Sequence, residues 1–240
     1  KMSSKDFVNE AVIKWCTGCG LNSMFYSTCA VLDELKLKNT VIVSGIGCSG
    51  RAASYFNLDT IHSMHGRAIP TAAGVKTANP KLNVVVFSGD GDLLSIGGNH
   101  LLHAARRNDN ITVICNSNEV FGMTGGQASP TTRKGGITLT TPEGNTANKI
   151  NIQPIVTSNE KYFYARTTPA HPEHLTKCLT EAMEHQGFAF VEVINPCYVN
   201  FGRRNNISTP KEILTYLRTT FNISASTRLA ENQLGIIKNA

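Results

Sequence analysis

No stretch of this sequence approaches the roughly 18 uninterrupted apolar residues that a membrane-spanning helix requires. The polar segment before Trp15 also lacks the apolar centre of an export signal. The expected location is therefore the cytoplasm, with no membrane partner. No block of five or six like charges occurs: 23 Lys and Arg against 17 Asp and Glu give a formal charge of +6, spread along the chain. A nucleic-acid footprint is accordingly not expected. The sharpest basic cluster, Arg203 and Arg204 after Gly202, reads as a solvated surface or a subunit contact. Internal repeats and low-complexity tracts are also missing. What remains is a balance of 41% hydrophobic and 17% charged residues in 240, enough for one large globular domain.

Short runs rich in Val and Ile, each ended by Gly, Asn or Pro, recur at 41–44, 84–88, 111–116 and 188–194. These read as buried strands of a parallel sheet. Helical spacing fills the intervals at 21–37, 67–78, 96–106 and 172–185. The alternation predicts an α/β fold, a doubly wound and mostly parallel sheet with helices on both faces. Residues 124–155 and 196–207 break the rhythm, and long irregular segments inside a domain tend to carry function. Residues 1–209 are expected to form the binding domain, and 210–240 a helical, then polar, tail that contacts another subunit.

The strand at 84–88 runs into Gly89-Asp90-Gly91-Asp92. Glycines past a strand admit close approach of a ligand to the backbone, and a following helix start offers N–H groups to phosphate. The next strand ends in Asn116-Ser117-Asn118-Glu119-Val120-Phe121-Gly122, again at a carboxyl edge where ligands gather. Asp90 and Asn118 together supply hard oxygens suited to Mg²⁺ bridging a diphosphate. Gly-Asp-Gly followed some two dozen residues later by Asn resembles the thiamine diphosphate-binding motif. That resemblance implies Asp90, Asn118 and the carbonyl of Val120 as metal ligands, with Gly91 and Asp92 lending amides to the diphosphate.

Seven cysteines without an export signal are not expected to form structural disulfides. Cys29, Cys115 and Cys178 lie among apolar residues and read as core. Cys16 and Cys19 form a Cys-x-x-Cys pair, Cys48 follows the first strand, and Cys197 follows Pro196. Four loop cysteines make a Cys₄ metal set: a 4Fe-4S cluster, a structural zinc ion, or a redox-active pair with two bystanders. One pair joined by two distant single cysteines favours the cluster over zinc.

Taken together, residues 15–20, 45–51, 65–68, 89–100, 106–108, 121–132 and 196–205 resemble the β subunits of 2-oxoacid:ferredoxin oxidoreductases, most closely the 2-oxoglutarate and branched-chain types. The resemblance implies thiamine diphosphate, Mg²⁺ and one 4Fe-4S cluster held by Cys16, Cys19, Cys48 and Cys197. It implies CoA-dependent oxidative decarboxylation of a 2-oxoacid to acyl-CoA and CO₂ with ferredoxin reduction, or the reverse, in a complex with an α subunit and sometimes γ and δ subunits. Gly47, Cys48, Ser49, His65, Gly89, Gly122, Met123 and Thr124 are expected around the cofactor, and His65 and Arg67 as catalytic groups. No glutamate matches the motif that activates the cofactor, so a partner subunit is expected to supply it. The loop at 123–130 favours 2-oxoglutarate, with branched-chain 2-oxoacids or pyruvate as alternatives. A nonoxidative thiamine diphosphate enzyme with structural zinc, and a noncatalytic zinc-stabilised scaffold, are the competing classes. The positive charge fits anionic partners such as coenzyme A or an acidic ferredoxin.

Overall fold

Val and Ile are stiff at their first side-chain torsion and pack well on a pleated surface, so their runs form the strands at the centre of the molecule. The computed structural model describes residues 4–9 and 12–239. The chain runs α1 (Gly20–Glu34), β1 (Thr40–Ser44), β2 (Asp59–His62), α2 (Ala68–Ala78), β3 (Asn83–Gly89), α3 (Gly98–Arg107) and β4 (Thr112–Ser117). It continues through the short strands β5 (Val120–Phe121) and β6 (Gln127–Ala128), α4 (Ile152–Val156), β7 (Tyr162–Thr167), α5 (Pro172–Glu184) and β8 (Ala189–Ile194). The last elements are α6 (Pro210–Thr220), β9 (Asn222–Ile223) and β10 (Gln233–Asn239).

One eight-stranded sheet, in the order β2-β1-β3-β4-β8-β7-β10-β9, carries the fold. From β2 to β7 every pairing is parallel, and β10 closes onto β7 antiparallel. Alternate side chains of each strand go to opposite faces, as the pleat requires. On β3, Val85 and Phe87 join α1 and α5 in one core, whereas Val84 and Val86 join α2, α3 and α4 in the other. Helices thus cover both faces of a mostly parallel sheet, as expected.

Among the elements not foreseen are β2, β7 and β10, with the shorter α4, β5, β6 and β9. β2 is an edge strand, exposed or half-buried at all four positions. β7 is almost wholly buried but mixes aromatic, charged and small residues, and β10 leaves Lys238 and Asn239 exposed, so neither reads as an apolar run. The segment after residue 209 contributes a helix and two strands to this same unit: α6 begins with a capping box between Thr209 and Glu212, and buries Ile213 and Leu217 against Ala170, Phe221 and Leu234. Among the described residues no helix is long and apolar enough to cross a membrane.

A buried ion pair ties β7 to β8. Arg166 Nε donates to Glu192 Oε2 at 2.9 Å, Tyr164 Oη donates to the same oxygen, and Arg166 Nη1 reaches the carbonyl of Ala230 at 2.9 Å. Burial pushes the Glu192 carboxyl up, but Arg166 and the Tyr164 hydroxyl more than offset it and hold the group below the ordinary carboxylate range. Removing one member of such a pair strands the other charge. Arg166→Met is expected to cost about 3–5 kcal/mol in denaturant unfolding, and adding Glu192→Leu to recover much of the loss. A double variant no more stable than the single one would show that the pair's charge balance is not what matters.

Candidate cofactor cleft and thiol cluster

Parallel strands deliver their following turns to one edge, so the neighbours β1, β3, β4 and β8 bring residues 45–48, 89–92, 118–122 and 197 side by side. Between the first three turns lies a cleft of about 150 Å³. It is lined by Gly47, Cys48, Ser49, His65, Gly89, Asp90, Gly91, Asp92, Asn118, Val120, Gly122, Met123 and Thr124, so every residue expected around a cofactor meets there. Ile46 and Phe121 complete the wall and were not among them. Phe121 explains Gly91: a Cβ on Gly91 would fall 2.4 Å from the Phe121 ring.

Asp90 is 1% exposed, and its Oδ2 accepts from Ser129 Oγ at 2.7 Å, from Thr131 Oγ1 and from the amide of Glu119 at 3.2 Å. Burial pushes its carboxyl up to about 6, against these hydrogen bonds. Among the described residues no cationic side chain pairs with it. A buried carboxylate without a cationic side chain suits a bound cation. Asn118 Oδ1 accepts from the Val120 amide at 3.1 Å, which bends the turn and places Glu119 at a left-handed φ of 68°. Ser129 and Thr131 escaped the sequence analysis; their only signal is a Ser-Pro-Thr-Thr run in the irregular segment.

Asp92 plays a second part beyond a backbone amide. Its Oδ1 accepts from His65 Nδ1 at 2.6 Å, the Gly66 amide at 2.7 Å and the Ile46 amide at 3.2 Å, and its Oδ2 from Ser88 Oγ at 2.8 Å. The carboxylate therefore fixes Nδ1 as the protonated ring nitrogen and leaves Nε2 for other work. Arg67 goes elsewhere: it does not line the cleft, and its Nη1 lies 2.5 Å from His100 Nε2 on α3.

The thiols divide as the sequence anticipates. Cys29, Cys115 and Cys178 are buried in the two cores, and burial pushes their thiols far up. Cys16 is exposed, while Cys19, Cys48 and Cys197 are half-buried. Burial raises Cys19 and Cys48 to about 11 and Cys197 as well; Cys16 and Cys197 raise Cys19 and Cys48 further, because these four thiols share one neighbourhood. Trp15 Nε1 donates to the Cys48 carbonyl at 2.7 Å, Tyr198 Oη to the Thr17 carbonyl at 2.9 Å, and the Asn200 amide to Cys197 Sγ at 3.4 Å. Among the described residues, no three or more His, Cys, Asp or Glu side chains close on a point that holds a single metal ion.

Cleft and thiols are contiguous. A Cβ on Gly122 would sit 3.7 Å from Cys48 Sγ, 3.8 Å from Cys197 Sγ and 3.7 Å from Asn118 Nδ2. The Cys197 amide donates to the Asn118 carbonyl at 3.0 Å, and Asn200 Nδ2 to the Gly122 carbonyl at 2.7 Å. Asp92→Ala leaves two backbone amides, a hydroxyl and an imidazole unpaired, and is expected to cost about 3 kcal/mol or more in unfolding. Asp92→Asn should cost clearly less, because one oxygen still accepts the amides and Ser88 can turn to accept from the new amide. Equal losses in the two variants would refute the hydrogen-bond account.

Residues 45–193 match the family described as "Thiamine pyrophosphate enzyme, C-terminal TPP binding domain". The chain is 43% identical over 208 residues to the 2-oxoglutarate synthase subunit KorB of Methanothermobacter thermautotrophicus, covering 85% of this chain and 72% of that one. It is 39% identical over 223 residues to the same subunit of Methanocaldococcus jannaschii, covering 92% and 83%. A solved 2-oxoglutarate:ferredoxin oxidoreductase from Magnetococcus marinus, with 2-oxoglutarate, coenzyme A and succinyl-CoA bound, superposes with a TM-score of 0.88 at 30% identity, covering all of this chain and 86% of that one. The cleft at the carboxyl edge of a doubly wound sheet thus sits in a thiamine diphosphate-binding domain, and the chain belongs to the family of 2-oxoglutarate and 2-oxoacid:ferredoxin oxidoreductase β subunits.

Proposed function

We propose that this β subunit holds thiamine diphosphate through Mg²⁺ and one 4Fe-4S cluster, and that its complex couples CoA-dependent oxidative decarboxylation of a 2-oxoacid to ferredoxin reduction, or runs the reverse. The observation that carries this is the adjacency of the two halves of the site: the point a Cβ on Gly122 would occupy lies 3.7–3.8 Å from Asn118 Nδ2 and from the Cys48 and Cys197 sulfurs alike. 2-Oxoglutarate is the favoured substrate, in line with the names of the relatives.

The donor set fits each group. Asp90, Asn118 Oδ1 and the Val120 carbonyl are hard oxygens of the kind Mg²⁺ takes alongside phosphate. Ser49 Oγ is buried on the cleft wall without a hydrogen-bond partner among the described residues, a donor available to the cofactor. Cys16, Cys19, Cys48 and Cys197 share one neighbourhood, and a single Cys-x-x-Cys pair joined by two distant cysteines suits a 4Fe-4S cluster better than the paired short knuckles usual for a Cys₄ zinc ion. When bound, thiamine diphosphate supplies the carbon nucleophile and electron sink of the decarboxylation, and the cluster accepts the electrons singly.

This chain's own residues bind, orient and protonate. Asp92 holds His65 so that Nε2 can carry a proton to or from the substrate's 2-oxo oxygen or carboxylate. Phe121 and Met123 supply apolar wall to the cleft. Arg67 Nη1 lies beside His100 Nε2 on α3, outside the cleft wall. An α subunit is proposed to supply the activating glutamate and the rest of the pocket. Residues 210–240 offer exposed Leu214 and Ile223 for a subunit contact.

Asp90→Ala is expected to abolish Mg²⁺-dependent thiamine diphosphate binding in calorimetry while iron and acid-labile sulfide stay unchanged; retained affinity would remove Asp90 from the metal site. Cys197→Ser in the anaerobically purified complex should lose iron, sulfide and the dithionite-bleachable colour. Zinc in the unsubstituted protein in place of iron would end the cluster assignment. His65→Gln should lower kcat by about 10²–10⁴-fold with cofactor affinity preserved.

A further inference from the structure

One short stretch of chain divides two hollows at the sheet edge. Asn118 and Val120 line the cofactor cleft, whereas Ser117 and Glu119, which alternate with them, line a cavity of about 580 Å³ beside the carboxyl ends of β4 and β8. Cleft and cavity share no lining residue. The cavity is the larger of the two and lies within the range of roughly 300–1,000 Å³ typical of small-molecule sites. A further compartment of about 420 Å³ adjoins it, with Lys149, Glu192 and Glu231 on the common wall.

Most of the charge on these walls is already paired. Arg133 Nε donates to Glu119 Oε2 at 2.7 Å, Lys149 Nζ lies 2.5 Å from Glu231 Oε1, and Arg166 Nε of the adjoining compartment donates to Glu192 Oε2 at 2.9 Å. Lys134 lines both compartments, is exposed, and is the one cation there without a carboxylate partner among the described residues. Apolar wall comes from Tyr216 and Phe221, whose rings meet edge to face at 6.3 Å, and from Ile150 and Ile194. One unpaired cation above an aromatic corner suits a ligand with one anionic group on an apolar body.

The cavity wall also reaches Asp90 across the partition. Thr131 lines the cavity and donates from Oγ1 to Asp90 Oδ2, and the Glu119 amide donates to the same oxygen at 3.2 Å. Arg133, which grips the Glu119 carboxylate, lies 4.9 Å over the Tyr216 ring. A ligand seated on Tyr216 therefore meets the group that fixes Glu119, and Glu119 with Thr131 fixes Asp90.

We propose that this cavity is a second ligand site for a small amphiphilic monoanion, with its carboxylate or phosphate group on Lys134 and its body against Tyr216 and Phe221. Occupation is felt at Asp90 through Arg133, Glu119 and Thr131, so ligand and Mg²⁺-bound cofactor alter each other's affinity by the same factor. The binding stands on the cavity alone, while the coupling rests on the Mg²⁺ reading above.

The test is calorimetry on the anaerobic holo-complex with phenylacetate, phenyl phosphate and neutral phenylacetamide, repeated for Lys134→Gln and Thr220→Phe. Thr220 is a half-buried lining position where a ring takes up cavity space. At least one anion is expected to bind, the stronger of the two naming the headgroup, and the amide to bind about tenfold more weakly or not at all. Lys134→Gln should weaken anion binding about three- to tenfold and Thr220→Phe should abolish it, with iron content and unfolding midpoint unchanged. Saturating anion should shift the Mg²⁺ concentration needed for thiamine diphosphate binding in the unsubstituted complex and leave it unshifted in Thr220→Phe. No binding of either anion, equal binding of the amide, or anion binding that both variants leave intact would overturn the site. Anion binding without a shift in Mg²⁺ dependence would overturn the coupling. Absence of any Mg²⁺-dependent thiamine diphosphate binding in the unsubstituted complex would instead overturn the cofactor reading, with the cavity still judged by the calorimetry.

Discussion

The arrangement of the site depends on the Asp92 carboxylate. Three turns from three places in the chain, following β1, β2 and β3, have no extensive contact of their own, and four hydrogen bonds to one buried side chain gather them. Its position also dictates a neighbour: a Cβ on Gly45 would come within 1.8 Å of Asp92 Oδ2, so that residue must be Gly. Buried acceptors are costly unless filled, and this one is filled by groups that themselves need fixing. The two carboxylates of the Gly-Asp-Gly-Asp turn therefore divide the work. Asp92 is spent on the protein's own donors, while Asp90, given only hydroxyl and amide donors, retains a charge to offer.

Much of this was legible in the sequence. β1, β3 and β4 each hold an unbroken apolar run, at 41–43, 84–87 and 113–115, closed by a buried polar residue, Ser44, Ser88 or Asn116, and that punctuation is unambiguous. The residues around the cleft were legible because their chemistry constrains them: a glycine where a ring closes in, a carboxylate between two glycines past a strand, an amide where a turn must bend. β2 was hidden because an edge strand satisfies its pattern on one side only and can afford polar residues, and β10 because its run is mixed, with Gly235 inside it and exposed Lys238 and Asn239 at its end. The tie of the Asp92 carboxylate to His65, and those of the Ser129 and Thr131 hydroxyls to Asp90, were hidden for another reason. They act across 27 or more residues of sequence, and nothing in local spacing encodes which donor meets which acceptor. Arg67 shows the converse, a residue inside a legible motif whose side chain the tertiary structure turns away.

The junction between cleft and thiols is made of backbone as much as of side chains. The Cys197 amide rests on the Asn118 carbonyl, and Asn200 spans from the amide facing Cys197 Sγ to the Gly122 carbonyl. Glu119 and Arg133 extend the same brace: the guanidinium grips the Glu119 carboxylate and lies over the rings of Phe201 and Tyr216. A shift in the turn at 118–122 is thus passed to the thiol loop through contacts that have little freedom to relax.

Trp15 is the single tryptophan of the chain, and its indole N–H is spent on the Cys48 carbonyl while its ring packs edge-on against Tyr55 and Phe25. The chain therefore carries one indole fluorophore, rigidly mounted beside the thiol cluster. Excited at the red edge of the spectrum, where the six tyrosines absorb little, it reports on that place: an iron-sulfur group bound there would quench the light by energy transfer, and loss of the group would restore it. Filling and emptying of the proposed cluster site would then be followed optically in this subunit without attaching a label.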